Sequence, residues 1–177
     1  NFPEALADIA KANELLPSDL SNLTWIPLSE IAACPSQTFR EGFLSLADEM
    51  VRSNGNSIDA RGVRLQILAA FGQMEHLRPD LEELIKSDFA SSYTRYQTAL
   101  LTLTMGDVDS YRQICQHLSS SLGDAGDLES QYFSFWACAL AVDAIEDYVP
   151  AIKLARHAVE MEPTKAQYMT GLGAILM

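Results

Sequence analysis

Three histidines, His76, His117 and His157, are the residues whose type and spacing most readily suggest chemistry. They lie 41 and 40 residues apart, and because imidazole is a common zinc ligand the spacing suggests a metal site as one hypothesis. Neither His117 nor His157 has a second ligand four residues away, the spacing that brings two side chains to one face of a helix. Solvated histidines explain the pattern better, and we expect neither a metal nor another cofactor.

A cysteine and a set of carboxylates are the other residues that could carry catalysis. Cys115 lies two residues from His117, but side chains at that spacing point in different directions on a helix, and Cys115 belongs to an apolar stripe. Several carboxylates could form an acid–base pair, but they lie at predicted helix ends, where the dipole or solvent accounts for them: Glu82, Glu83, Asp143, Glu146 and Asp147. The chain contains no GxGxxG, GxxxxGK[ST], HExxH or GxSxG motif. We therefore predict no catalytic residues and no enzyme activity.

Acidic residues outnumber basic ones two to one in this chain of 177 residues. The 24 Asp and Glu against 12 Lys and Arg give a formal net charge of −12. A surface of that sign repels phosphate backbones and anionic lipids. We therefore expect no nucleic acid or membrane partner, and a protein or peptide partner that is basic or apolar rather than acidic. The 48% of apolar residues excludes a disordered chain.

Hydropathy and the cysteine pattern indicate the cellular compartment of the protein. The longest uninterrupted apolar run covers 135–142, whereas a membrane-spanning helix needs about 20 such residues. Cys34, Cys115 and Cys138 cannot all pair, and no two of them form a CxxC motif. A reducing compartment is the default for such a chain, so we predict a cytoplasmic location.

The elements that must position these residues are predicted to be helices. Apolar residues recur with the 3.6-residue period, and no long stretch alternates with period two, which favours an all-α fold. Gly106 should end one helix and Asp107 should cap the next, which makes a helical hairpin. Three prolines break any long helix near 17–36, so a packed, irregular crossover is expected there. Helices are predicted over 38–52, 60–77, 92–105, 107–122 and 128–145, with others beginning near Arg78, Tyr148 and Ala166.

Two distant stretches share one spacing of apolar and small residues. Five positions spaced 3, 4, 3 and 5 residues apart describe one face of a helix followed by a proline stop. A repeat of this kind predicts a stack of similar helical units. The spacing occurs at Tyr148, Ala151, Ala155, Ala158 and Pro163, and again at Phe2, Ala5, Ile9, Ala12 and Pro17.

The repeated pattern resembles the tetratricopeptide repeat, a 34-residue unit of two antiparallel helices, A and B. The resemblance implies a right-handed α-α superhelix in a single helical repeat domain over 1–177. The best match is 132–165, whose helix A carries Phe135, Cys138, Ala139 and Val142 and whose helix B carries the five residues from Tyr148 to Pro163. In that frame 1–19 is a partial repeat helix B, 20–91 a divergent helical region, 92–125 a divergent repeat and 166–177 a partial repeat helix A. In the divergent repeat, Tyr111 occupies a position where the family usually has alanine.

The same resemblance implies which residues pack the repeats and which line a groove. Because 132–142 is apolar on all sides, Trp136 should be fully buried, either by this chain or by a partner. The family's carboxylate clamp needs Lys and Asn on the concave side, so an acidic C-terminal tail is a poor ligand here. The packing positions are Ala151, Ala155, Ala158, Pro163, Leu172 and Gly173, and the groove candidates are Phe133, Trp136, Leu140, Asp143, Gln167 and Thr170.

A narrower resemblance rests on a string of residues in the C-terminal half: Gly106-Asp107, Tyr111-Arg112, Cys115, Leu118, Ala155, Ala158-Val159, Pro163 and Leu172-Gly173. This string is similar to the helical C-terminal tails of large planctomycete-type bacterial kinase and WD40 fusion proteins. In such a protein the catalytic domain would lie outside this chain.

The predicted function is a protein-interaction or scaffold module without catalysis of its own. Two alternatives stay open: a regulatory helical segment of a larger multidomain enzyme such as a kinase, and a self-assembly unit that associates through its chain ends.

Overall fold

The computed structural model describes residue 33 and residues 36–53, 57–87, 91–120 and 127–177. All regular secondary structure in these residues is helical, with eight α-helices, one 3-10 helix and no strand. The all-α prediction is therefore confirmed for this part of the chain. The predicted partial repeat helix B at 1–19 and nearly all of the predicted crossover near 17–36 lie outside the described residues.

The chain divides into two compact units, Asn1–Ser87 and Asp88–Met177. We call them unit 1 and unit 2 and describe each by itself. The sequence predicts one continuous repeat domain, and that stays a prediction.

Unit 1 contains three described α-helices, α1 (Gln37–Ser53), α2 (Ile58–Ala70) and α3 (Arg78–Lys86), with a 3-10 helix at Met74–His76. The Ser57 hydroxyl begins α2 by accepting a hydrogen bond from the Ala60 N–H, as an N-cap serine does. Helices α1 and α2 share a core whose members are spaced three or four residues apart: Phe39, Phe43, Ala47, Met50, Val51, Ala60, Val63 and Ile67.

The sequence predicts one helix over 60–77, but the structure ends α2 at Ala70. Gly72 adopts φ +70°, a left-handed conformation that glycine reaches without the penalty of a side chain. The Gly72 N–H bonds to the Ala69 carbonyl and the Gln73 N–H to the Leu68 carbonyl, so the last turn is closed by its own backbone. The prediction of a longer helix was wrong because apolar spacing continues to Met74 across this break.

An ion network centred on the buried Asp80 ties the three described α-helices of unit 1 together. Asp80 on α3 is 0% exposed, and Arg64 on α2 donates to both of its oxygens at 2.7 and 2.6 Å. Arg61 donates to the same carboxylate at 2.9 Å, and Arg64 reaches Asp48 on α1 at 3.1 Å. The hydrogen bond to Asp80 raises the pKa of Arg64 above its ordinary value. Two guanidinium groups thus neutralise a carboxylate that water does not reach.

Unit 2 contains five described α-helices: α4 (Ser92–Thr104), α5 (Val108–Ser120), α6 (Leu128–Cys138), α7 (Val149–Met161) and α8 (Ala166–Ile175). Helix α4 packs against α5 and α6, α6 also contacts α5, α7 and α8, and α7 contacts α8. Gly106 lies at φ +76°, and the Asp107 carboxylate accepts from the Ser110 N–H at 3.1 Å. The predicted helical hairpin at Gly106-Asp107 is confirmed.

The sequence predicts one helix over 128–145, but α6 ends at Cys138 because a side chain enters its hydrogen-bond ladder. In a continuing helix the Ala141 N–H would bond to the Ala137 carbonyl. Instead the Tyr111 hydroxyl donates to the Ala137 carbonyl at 2.9 Å and accepts from the Ala141 N–H at 3.1 Å. The ring of Tyr111 is fully buried, so this side chain of α5 keeps α6 from continuing past Cys138.

Candidate functional site

The segment 139–148, which joins α6 to α7, is held by hydrogen bonds at three places. The Tyr111 hydroxyl fixes its first turn, as described above. The Arg112 side chain donates to the Asp143 carbonyl at 3.2 Å, and the Tyr148 hydroxyl accepts from the Ala144 N–H at 2.9 Å. Asp143 itself lies at φ +57°, in the left-handed region that aspartate tolerates better than most residues. The segment is therefore irregular but positioned by side chains of its own unit.

An open apolar groove of about 600 Å³ lies between this segment and the C-terminal end of α8. Val142 is 84% exposed at its edge, and Leu176 and Met177 are exposed on the opposite wall. We call this feature the loop groove. Its lining is mostly aliphatic: Cys138, Ala139, Leu140, Ala141, Val142, Asp143, Tyr148, Ala174, Ile175, Leu176 and Met177.

Carboxylates follow the loop groove along the same segment. Asp143 lines it, and Glu146 and Asp147 come three and four residues later. All three are exposed. One Asp147 oxygen accepts from the Val149 N–H at 2.9 Å, which leaves the charge facing solvent. We call these three residues the acidic loop residues.

The structure places the six predicted groove residues at different sites within unit 2. Leu140 and Asp143 line the loop groove, but they do so from the segment after α6 rather than from a helix face, because α6 ends early. Gln167 and Thr170 are exposed on α8, and the Thr170 hydroxyl donates to the Ala166 carbonyl.

Phe133, a further candidate, packs within a cluster of aromatic rings. Its ring centre lies 4.9 Å from that of Tyr93 and 5.5 Å from that of Tyr96, both on α4. It also meets Tyr132 edge-on at 5.2 Å. Phe133 is therefore partly covered by its own unit.

Trp136, the sixth candidate, is partly buried by its own unit, so the prediction of a ring fully buried by this chain or by a partner stays a prediction. Its ring stacks on Tyr132, and α8 closes over part of it at Gly171. A Cβ atom at Gly171 would lie 2.9 Å from Trp136 Cε3 and 2.6 Å from Phe135 Cε2. The cover that the structure does provide comes from α8, within unit 2.

The six predicted packing positions differ in how far they are buried. Ala151, Ala155 and Ala158 are all fully buried on α7, which packs against α6 and α8. Pro163 and Gly173 are exposed, and nothing lies within 4 Å of a Cβ built at Gly173. Leu172 is partly buried. The close glycine contact of α8 is made by Gly171, which sequence reasoning missed because the contact depends on where the α6 rings lie.

The two thiols of unit 2 and the Tyr111 hydroxyl are buried and hydrogen-bonded. Cys115 and Cys138 are free thiols with no exposed surface, so the core placement predicted for Cys115 is confirmed. A hydrogen bond with Cys115 and burial raise the pKa of the Cys138 thiol. Burial also raises the pKa of Tyr111, whose hydroxyl keeps the proton that it donates to Ala137. Cys138 and Tyr111 therefore keep their protons, and groups this inaccessible are poor nucleophiles.

No group of three or more His, Cys, Asp or Glu side chains that could hold a metal occurs in the part of the chain that the structure describes. Across that same part, every helix is too short or too polar to cross a lipid bilayer.

No family model, curated protein or solved structure matches this chain. The geometry of its own surfaces, above all the loop groove, is what points to a function.

Proposed function

We propose that unit 2 is a protein-interaction module in which the loop groove receives an apolar segment of a partner. The observation that carries the proposal is the groove itself, about 600 Å³ of open space with a mostly aliphatic lining. Binding sites are typically clefts of about 300–1,000 Å³ that are lined mainly by apolar side chains. Val142, at 84% exposure, is the clearest example of a side chain that gains cover when a partner binds.

The proposal includes helical hairpins of the tetratricopeptide type. Helices α4, α6 and α8 are every second helix in the sequence, and each contacts the next in space. Helix α5 packs against α4 and α6, and helix α7 packs against α6 and α8. This order supports α4, α6 and α8 as A helices and α5 and α7 as B helices. The proposal also includes a cytoplasmic setting, since Cys115 and Cys138 are free thiols.

The proposed function is tested by panning a phage library of random 12-residue peptides on the chain. Ala174 lines the groove and is partly buried, so Ala174→Phe should fill the groove without disturbing the core. Ala166→Phe places the same new ring at the exposed start of α8 and serves as the matched control. We expect enriched peptides that bind the wild type and Ala166→Phe but not Ala174→Phe.

Thermal melts followed by circular dichroism establish that both variants fold as the wild type does. If no peptide is enriched, or if enriched peptides bind Ala174→Phe as tightly as the wild type, the loop groove is not a protein-binding site and the proposed function fails.

A further inference from the structure

We propose that the partner segment carries Lys or Arg beside the bulky apolar side chains that enter the loop groove. This inference rests on the proposed function and specifies the chemistry of the partner. It follows from the charged side chains of segment 139–148, which forms one wall of the groove. All of these side chains are acidic.

The acidic loop residues, Asp143, Glu146 and Asp147, place three exposed carboxylates within five residues of chain. The sequence contains no Lys, Arg or His between His117 and Lys153. Nothing on the segment itself therefore offsets these charges. A peptide seated beside Val142 would bring its own flanking residues close to them, where cations are favoured and anions are repelled.

The other groups that face the groove leave this negative field in place. Helix α8, which supplies the opposite wall, has no ionisable side chain except Tyr168, which is buried. Arg112 lies against the segment, but its Nε donates to the Asp143 carbonyl and its Nη1 lies 4.0 Å from Asp109. This one cation offsets one of the three acidic loop charges, so the local charge stays negative.

A second copy of this chain is a poorer occupant than a basic peptide. The formal net charge is −12, so two copies repel one another at long range, and the repulsion is strongest at low salt. A basic segment gains from the same field. Charge complementarity therefore favours a Lys- or Arg-bearing partner over self-association through the groove.

The test compares two variants with equal net charge. Asp143→Asn, Glu146→Gln and Asp147→Asn together remove the acidic loop charges, while asparagine keeps the tolerance of φ +57° at 143 and an oxygen that can accept from Val149 at 147. The matched control combines Glu82→Gln, Glu129→Gln and Glu160→Gln, three exposed carboxylates elsewhere. Binding of the panned peptides to each variant is measured by fluorescence anisotropy at 50 and 500 mM NaCl.

We expect the enriched peptides to contain more Lys and Arg than the unselected library, next to large apolar residues. Neutralising the acidic loop residues should lower their affinity about three- to tenfold at 50 mM NaCl and less at 500 mM. The control variant should bind within about twofold of the wild type, because none of its three substituted residues lies on the segment that forms the wall of the groove.

Three outcomes separate this inference from the proposed function. Groove-dependent peptides without a basic bias, bound equally by both triple variants, would overturn the charge inference and leave the proposed function standing. Failure to enrich any groove-dependent peptide would overturn both. Light scattering that shows self-association of the wild type, abolished by Ala174→Phe, would make a second copy the occupant and overturn the basic partner.

Discussion

Gly171 and Gly173 lie two residues apart on α8 but have opposite surroundings. A Cβ at Gly171 would meet the Phe135 and Trp136 rings below 3.0 Å, whereas nothing lies within 4 Å of one at Gly173. We predict that Gly171→Ala lowers the free energy of unfolding by about 1–3 kcal/mol, because the rings must shift. Gly173→Ala should raise it by up to about 1 kcal/mol, since alanine favours a helix interior. Urea denaturation measures both.

Equal effects at the two glycines would mean that α8 does not approach the α6 rings at Gly171. The contrast also shows which properties of a single residue the sequence can predict. The spacing of Ala151, Ala155 and Ala158 marks a buried helix face without reference to any other element. The role of Gly171 depends on ring positions across an interface, which helical spacing within α8 does not contain.

Tyr111 provides a second test at the scale of one side chain. We predict that Tyr111→Phe lowers the free energy of unfolding by about 1–3 kcal/mol, because the Ala141 N–H and the Ala137 carbonyl both lose the hydroxyl that joins them. Hydrogen exchange at the Ala141 amide should become faster. Urea denaturation and amide exchange followed by NMR measure the two effects.

Tyr132→Phe is the control for that variant. Tyr132 contacts neighbouring rings, and its hydroxyl makes no hydrogen bond with the described residues. Its removal should change the free energy of unfolding by less than about 0.5 kcal/mol. If Tyr111→Phe is as harmless as this control, the hydroxyl does not hold the end of α6 open.

Helix boundaries show which elements a single sequence specifies. The α4–α5 turn is fully local, since Gly106 and the Asp107 cap act on adjacent residues, and it was predicted. The ends of α2 and α6 were placed too late. Gly72 breaks α2 while apolar spacing continues beyond it, and Tyr111 ends α6 from 26 residues away. A boundary set by a distant hydroxyl carries no local sequence pattern.

The packing of α1, α2 and α3 makes Asp80 the critical charge of unit 1. We predict that Asp80→Asn lowers the free energy of unfolding by about 2–4 kcal/mol, because Arg61 and Arg64 lose a shared, water-free carboxylate. Asparagine keeps the shape of the side chain, so the loss reports charge and hydrogen bonding rather than a cavity. The measurement is urea denaturation followed by circular dichroism.

Asp48→Asn is the matched control, since Asp48 pairs with the same Arg64 but its side chain is 61% exposed. Solvent screens that pair, so the expected change is no more than about 1 kcal/mol. A loss at Asp80 as small as that at Asp48 would show that the buried network contributes little to stability.

The fold class of the described residues was predictable, since helical periodicity predicted an all-α fold. The basic or apolar partner that the acidic composition suggests stays a prediction. The division into two compact units and the groove itself were not foreseen. The groove depends on the early end of α6 and on the Tyr111 side chain that holds it, and these are contacts between residues far apart in the sequence.

The net charge of −12 leads to a prediction for the molecule as a whole. Mutual repulsion among 24 acidic side chains opposes the compact state, and salt weakens it as the screening length falls from about 30 Å at 0.01 M to about 10 Å at 0.1 M. The Asp80 carboxylate is buried, so its pairs with Arg61 and Arg64 are screened much less. If screening adds about 1 kcal/mol, the melting temperature should rise by about 2–4 °C between 0.01 and 0.1 M NaCl.

The two triple variants provide the control for this salt effect, because each removes three acidic charges and brings the net charge from −12 to −9. Both should therefore reduce the salt-induced rise in melting temperature by a similar amount. Only the variant that neutralises the acidic loop residues should weaken peptide binding. A melting temperature that falls with added salt would mean that exposed ion pairs outweigh the net repulsion. A smaller salt response in one triple variant alone would instead locate the repulsion at that cluster, and the effect would then belong to a site rather than to the net charge of the molecule.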